Sequence, residues 1–457
     1  WLKEHADIGL GSMVAIAPRN DLRSVIMICA LLWLGASIAV VDPNAPEGRK
    51  RSILQALKVN AVEAAVDVPD VEARIFSFPD PSKLPQTRQA PHHADPRQDA
   101  FYIGTSGSTS VSKIVAQTHE NLIANARAVT QHHGLEPGVR LLGCLPIHHV
   151  NGLHLSLMAA LYSGCHTLLL PGFDAFRYPQ HLTAFAPHIA SVVPSILQAL
   201  MNVGRPAKLP DGFRYFVSAA APLSRSLATL VWERWGARIH QGYGLTETVN
   251  FSTTVPRNLP EAAYHRLMVH AEIPTVGCAV PGNEVVILDA SGHTAPVGVV
   301  GEICVRGHNV MDRYVNNEAE TAHAFRYGWF HTGDLGYFTM DPDCDRPFIV
   351  ICGREKNVAK IRGESVSLEE MERCLLELPG IQDAACSSVP DPTTGEAILA
   401  AICADEKLSS EIVYAHLAKT FQRSALPRDV VRLTSIPRTP TGKLLRPALK
   451  ALLGNSA

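Results

Sequence analysis

The sequence predicts an α/β protein: a large N-terminal domain of α/β layers with a β-rich subdomain at its end, then a small α+β C-terminal domain. Three observations carry this. Short apolar runs of strand length alternate with helical stretches from the start of the chain, the rhythm of parallel βαβ units. From about Val276 the texture changes to short strands and turns. Beyond Gly353-Arg354-Glu355-Lys356 the chain reads as a separate unit with its own helices and strands. The expected domains are therefore 1–353 and 354–457. A length of 457 residues has room for roughly three folding units, counting the β-rich part as one, at about 150 residues each.

The elements follow in order. Val14–Ala17 reads as extended, Leu22–Leu34 as a helix and Ile38–Val41 as a buried strand running into Asp42-Pro43. Ser24 to Val41 carries no charge and invites a membrane-spanning reading. It is shorter than the ~20 residues a bilayer requires, and Gly35-Ala36-Ser37 interrupts it, so helix, turn and strand is the reading adopted. No signal peptide is recognised, and the expected location is cytoplasmic. Pro79 to Pro96 is rich in Pro, Gln and His and reads as an exposed connection. Phe101-Tyr102-Ile103 is strand-like and enters a Gly/Ser/Thr loop. The α/β pattern continues through Leu168–Pro171, Ser191–Met201 and Tyr215–Ser218. Glu284–Leu288, Gly301–Arg306 and Phe348–Cys352 are the short strands of the β-rich part. In the last unit, Ser367 with Glu370 three residues later forms a capping box, and Met371, Leu375 and Leu378 make one apolar face. Strands at Ala384–Val389 and Ala397–Ala404, a helix at Ser409–Phe421 and a strand near Val430–Leu433 complete it.

Composition narrows the function. Lys+Arg number 41 and Asp+Glu 43, a net charge of −2, so the basic surface that nucleic-acid binding requires is missing. Hydrophobic residues make up 46% and charged residues 18%, enough apolar content to exclude disorder for most of the chain. The ten cysteines are scattered with no C-x-x-C pair and read as buried thiols in a reducing compartment. The twenty histidines show no zinc-binding spacing, and the doublets His92-His93, His132-His133 and His148-His149 read as loop and surface residues.

Thr105-Ser-Gly-Ser-Thr-Ser-Val-Ser-Lys113 is the most informative stretch. Small hydroxylated residues let a backbone approach a polyphosphate, and a lysine adds a point charge. It is not a P-loop, because Lys113 lies between Ser112 and Ile114. Taken alone such a loop is more often merely a flexible turn. Further on stand Gln241-Gly242-Tyr243-Gly244-Leu245-Thr246-Glu247, His331-Thr332-Gly333-Asp334, Gly353-Arg354, Lys360-Ile361-Arg362-Gly363 and Pro440-Thr441-Gly442-Lys443. In this order and spacing, across nearly the whole chain, the sequence strongly resembles the adenylate-forming superfamily of acyl-CoA synthetases, peptide-synthetase adenylation domains and luciferases.

The resemblance implies that a carboxylate attacks the α-phosphate of ATP, that pyrophosphate leaves, and that a second nucleophile takes the acyl group. It implies ATP and Mg²⁺ as cofactors and a small carboxylic acid as substrate. CoA is the leading acceptor, with an amine (an amide ligase) or a carrier protein as alternatives. It implies no nucleic acid and no membrane span. Thr105, Ser106, Gly107, Ser108, Thr109 and Lys113 would form the phosphate loop. Tyr243 would stack on adenine with Gly244 beside it, Thr246 and Glu247 would be catalytic, and Glu247 would hold the metal. Asp334 would accept the ribose hydroxyls, helped by Arg354. Lys443 resembles the mobile lysine that bridges carboxylate and α-phosphate. His149, Ala219, Ala220, Ala221 and Gly242 would line the acid pocket. Lys356 would be the hinge of a mobile C-terminal domain whose other face carries Lys360 and Gly363 for acyl transfer. Each residue also has a plainer reading: Tyr243 as a core aromatic, Glu247 as a solvated acid at a helix start, Asp334 as a turn residue, His149 as a packed histidine, and Lys356 and Lys443 as solvated lysines. Ser110, Ser112 and Ile114 depart from the family's usual Gly, Pro and Gly, removing backbone freedom from the loop. A catalytically degenerate nucleotide-binding protein is the reading from a different class.

Overall fold

The computed structural model describes the chain except residues 70, 85–91, 93–94, 106–112, 204–207, 363, 405–407, 440–441 and 455–457. The first half is two seven-stranded sheets with helices between and outside them. β1 (Met13–Ile16), α1 (Leu22–Trp33), β2 (Ser37–Val40) and α2 (Glu47–Leu57) open the chain as expected. β3 (Ala61–Glu63), β4 (Arg74–Phe76), β5 (Asp99–Gly104) and β6 (Ile114–Thr118) follow, in the spatial order β6-β5-β2-β1-β3-β4. α1 buries Met27, Ile28 and Leu31 against Val14, Ile16, Ile38 and Val40 on one face. α2 places Ile53, Leu54 and Leu57 against Ala15 and Ala39 on the other. Among the described residues no helix is long and apolar enough to cross a membrane.

α3 (His119–His133) starts at a capping box in which Thr118 and Asn121 bond reciprocally, and it stops at Gly134, which takes φ 60°. The second sheet is built from β7 (Arg140–Gly143), β8 (His166–Leu169), β9 (Ile189–Val192), β10 (Tyr215–Ser218), β11 (Arg238–Gly244), β12 (Phe251–Thr254) and β13 (Cys278–Ala279). α4 (Ala159–Ser163) is preceded by a π-helical segment, Asn151–Met158, in which every residue is buried. Leu153 and Leu157 of this segment pack toward the first sheet, and Leu155 toward the second. A segment buried on every side lies inside, and this one lies between the sheets, carrying the polar side chains of Asn151, His154 and Ser156 with it. α5 (Tyr178–Phe185), α6 (Pro194–Asn202) and α7 (Arg225–Trp235) cover the far face of the second sheet.

The β-rich part is one antiparallel sheet of β14 (Asn283–Leu288), β15 (Gly301–Gly307), β17 (Phe330–Thr339) and β18 (Phe348–Arg354). Between its strands, β16 (Arg313–Tyr314) returns to pair with β6, and α8 (Glu318–Ala324) follows it. The last unit holds β19 (Val358–Ile361), β20 (Glu364–Ser367), α9 (Leu368–Leu376), β21 (Ile381–Asp391), β22 (Gly395–Ala404), α10 (Ser410–Leu417), β23 (Asp429–Arg432) and α11 (Arg446–Gly454). Ser367 Oγ accepts from the Glu370 N–H at 3.2 Å, and Met371 and Leu375 are buried as the spacing predicted. α9 ends before Leu378, and α10 is shorter than the predicted Ser409–Phe421. Arg446 anchors α11 to α9 through Glu372 at 2.8 Å and Glu369 at 3.1 Å.

The histidine doublets need one correction. His133 is buried, because the last turn of α3 faces the second sheet, where its Nδ1 lies 3.3 Å from the Tyr215 hydroxyl. His148 and His149 are half-buried rather than exposed. The cysteines are all free thiols, but only six are buried as expected; Cys29, Cys165, Cys344 and Cys352 are half-buried.

Candidate active site

The β17–β18 ladder sets Asp334 opposite Arg354 in register. Arg354 Nε lies 2.5 Å from Asp334 Oδ1, and the Tyr243 hydroxyl at the end of β11 donates to Oδ2 at 2.8 Å. The strand edge is pinned one step back. Glu302 on β15 accepts from Arg326 at 2.7 Å and from the Gly333 N–H at 2.9 Å, and meets His331 Nδ1 at 2.7 Å. Asp334 is only 2% exposed, so its charge is held by fixed donors rather than by water. Burial, then the Asp334 charge, pushes the Tyr243 hydroxyl well above its ordinary value. The same carboxylate raises Arg354.

Glu247 lies in a single 3₁₀ turn, Thr246–Thr248, directly after β11. The Tyr314 hydroxyl donates to its Oε1 at 2.9 Å, and the Met311 N–H to its carbonyl at 2.7 Å. Gln117 on β6 donates to the Thr246 carbonyl at 2.9 Å while His154 of the π-helix holds the Gln117 Oε1 at 3.0 Å. Val249 then takes φ 62°, ψ −55°, and the Asn250 N–H reaches back to the Thr248 carbonyl at 2.6 Å. That is the strained γ-turn, which a β-branched residue adopts only under constraint. Gly244 fits here because a Cβ would stand 1.5 Å from the Asn250 carbonyl oxygen.

Lys113 forms an ion pair with Glu320 of α8, and its Nζ lies 4.8 Å from the centre of the Tyr314 ring. The Thr105 N–H bonds the Lys113 carbonyl at 2.8 Å, closing the neck of the loop between them. Ser106, Gly107, Ser108 and Thr109, with Ser110 and Ser112, lie outside the described residues.

Lys443 approaches this cluster from the last unit. A Cβ on Gly442 would stand 2.9 Å from Ser195 Oγ, so the lysine loop is docked at the start of α6. Burial first, then Arg354 and Lys356, pushes the Lys443 ammonium down to about 8, while Asp334 and Glu247 oppose the shift. His149 shares the same field. Burial first, then His148, lowers its ring to about 4, with Asp42 opposing and Arg49 and Lys443 assisting. His148 Nε2 lies 3.5 Å from Asp42 Oδ1.

Tyr243, Glu247, Asp334, Arg354, His149 and Lys443 are thus brought together from six separate segments. Ala219 is buried at the end of β10, whereas Ala220 is exposed at φ 70° and Ala221 is half-buried. Gly242 faces the Phe251 ring. Lys356 is exposed in the turn after β18, and desolvation, then the Arg354 charge, lowers its ammonium. Lys360 is exposed on β19 with Nζ 2.5 Å from Ser365 Oγ, and Gly363 lies outside the described residues. Sequence reasoning missed Glu320, Tyr314, Gln117 and Glu302. Their isolated residue types carried no motif; only β16 returning to β6 brings the first two to Lys113.

The AMP-binding enzyme family matches residues 1–315, and the AMP-binding enzyme C-terminal domain matches residues 370–443. A sulfoacetate–CoA ligase of Cupriavidus necator is 31% identical over 88% of this chain and 76% of its own. The fold of ATP-bound MatB from Rhodopseudomonas palustris superposes with a TM-score of 0.88 at 22% identity, covering 100% of this chain and 91% of that one. The amide bond synthetase McbA from Marinactinospora thermotolerans superposes at 0.84 with 25% identity, covering 98% and 91%. The class so defined is the ATP-dependent, adenylate-forming ligase. The chain belongs to the AMP-binding enzyme family.

Proposed function

We propose that the chain joins a carboxylic acid to AMP and then passes the acyl group to a thiol, CoA in the first reading. The carrying observation is the docked lysine loop: Lys443 stands within the field of Asp334, Arg354 and Glu247. In the first half-reaction a carboxylate oxygen attacks the α-phosphorus, and the bond from that phosphorus to the bridging oxygen breaks. Pyrophosphate leaves with the electron pair. Two anions meet in this step, so fixed cations and donors supply most of the rate. In the second, a thiolate attacks the acyl carbon and AMP departs.

Lys443 would bridge the attacking carboxylate and the α-phosphate. Incoming phosphates raise an ammonium's pKa, so the lysine would carry its proton in the ternary complex. Asp334 would accept the ribose hydroxyls; a carboxylate has about four acceptor sites, and Arg354 and Tyr243 leave room. Tyr243 and Gly244 would face adenine. Thr105, Ser106, Gly107, Ser108, Thr109 and Lys113 would cradle the phosphates, which requires Lys113 to exchange Glu320 for them. Glu247 fits a magnesium ligand: it is a half-buried carboxylate with one oxygen held by Tyr314, and hard cations take oxygen donors. Bound there, the cation would neutralise phosphate charge, with Thr246 beside it. His149, neutral because its ring is depressed to about 4, would form a wall of the acid pocket with Ala219, Ala220, Ala221 and Gly242. Residues 354–457 would swing on Lys356 to present Lys360 and Gly363 for acyl transfer.

The C. necator relative is named as a CoA ligase, which supports the thiol reading. McbA supports a second, an amine acceptor. Pyrophosphate release with a panel of carboxylic acids tests activation. Product analysis with CoA or amines offered in turn separates the acceptors: an acyl thioester supports the first reading, an amide the second, and release with no acid overturns both.

A further inference from the structure

The least explained polar groups of the interior lie beneath His149. Asn151 opens the π-helix two residues later and is 6% exposed. Its Oδ1 accepts from Ser191 Oγ at 3.5 Å, and Ser191 is fully buried on β9. Its Nδ2 has no hydrogen-bond partner among the described residues. A buried amide left unpaired is costly, so its retention calls for an acceptor from elsewhere.

Position says where that acceptor comes from. β9 leads from Ser191 to Ser195, the residue against which Gly442 docks beside Lys443. Three extended residues, Ser191 to Pro194, span about 10 Å, so the pair lies a short molecule's length below the reacting end. Two glycines of this layer are packed tightly. A Cβ on Gly242 would stand 2.8 Å from the Phe251 ring, and one on Gly143, the register neighbour of Ser191, 2.6 Å from Ser156 Oγ.

We propose that Asn151, oriented by Ser191, selects a short carboxylic acid bearing a second hydrogen-bond acceptor (a carboxylate, sulfonate or keto oxygen) at the end opposite the reacting carboxylate. Asn151 binds that acceptor through Nδ2. Ser191 acts through Asn151 as a positioning residue. This deepens the acid-activating reading above and rests on it.

The test is pyrophosphate release with Mg-ATP and single acids: malonate, sulfoacetate and acetoacetate against propionate, butyrate and β-alanine. The wild-type enzyme is expected to favour malonate over butyrate in kcat/KM by about 10–100-fold, the worth of one hydrogen bond to a charged group. Asn151→Leu should erase that ratio through KM for malonate. Asn151→Asp keeps the shape but replaces the donor with an acceptor, and should reject the dianions most by placing like charge against them. Ser191→Ala should move KM in the same direction with kcat held. A wild-type preference for butyrate overturns the proposal, as does a ratio unchanged in Asn151→Leu. A preference for β-alanine, whose second group only donates, overturns it too. If no acid releases pyrophosphate, the acid-activating reading itself falls, a result distinct from activation without this preference.

Discussion

Lys443 sits among charges of both signs, and the balance sets its chemistry. With its ammonium held near 8, it loses its proton in the free enzyme as pH rises through that value. kcat/KM for adenylate formation reports the free enzyme and should fall above about pH 8, while the kcat limb moves upward because bound phosphate restores the proton. A kcat/KM profile flat to pH 9.5 would count against Lys443 as the bridging cation. Asp334→Asn keeps the shape but withdraws the charge facing Arg354. KM for ATP should rise about tenfold or more, the worth of a charged hydrogen bond, with a lower melting temperature from the unpaired guanidinium. An unchanged KM for ATP would remove Asp334 from the ribose position. The charged residues were legible in the sequence because charge type and motif order survive without geometry. Lys113's partner was not: Glu320 is 207 positions away in a segment with no motif.

Among the elements, the strand readings Val14–Ala17, Ile38–Val41, Phe101–Ile103, Leu168–Pro171 and Tyr215–Ser218 fall within two residues of β1, β2, β5, β8 and β10, because apolar runs bounded by turns leave few alternatives, whereas β3, β4, β7 and β11 were not read. The π-helix was invisible, since a segment buried all round has no polar face to set its period. The buried end of α3 was misread for a related reason: paired histidines look polar, yet His133 and His240 flank Tyr215 in the core. His240 stacks on the Tyr215 ring with centroids 3.8 Å apart. Burial holds His240 down to about 3 and His133 well below its ordinary value. Above pH 6.5 both states are neutral and stability does not depend on these rings. As pH falls below 6.5 the unfolded chain takes up protons that the folded one refuses. Each neutral ring then costs stability, about 2 kcal/mol by pH 5. The melting temperature should drop between pH 7 and 5, and His240→Phe, which keeps the stack, should flatten the slope. An equal slope in both proteins would show that the buried ring does not titrate on unfolding.

At the scale of the whole molecule, the last unit is seen in one orientation, with its lysine loop docked on α6 and Arg373 donating to the Cys352 carbonyl at 2.9 Å. The turn Glu355–Asn357 precedes a core cluster drawn from residues beyond it, Ala359 to Ala425. The docking was not legible in the sequence, since it depends on Gly442 meeting Ser195 across the molecule. If Lys356 is the hinge, Lys356→Pro fixes φ near −65° and removes an N–H, so one orientation is lost. Acyl-AMP should then accumulate while transfer stops; parallel loss of both half-reactions, or of neither, contradicts the hinge. The central claim is that the docked lysine completes an adenylation site. ATP–pyrophosphate exchange of Lys443→Ala, measured beside its ATP affinity, tests it most directly. The account predicts near-normal ATP binding with exchange lowered about 10²–10³-fold, the cost of one preorganised donor; exchange at the wild-type rate would contradict it.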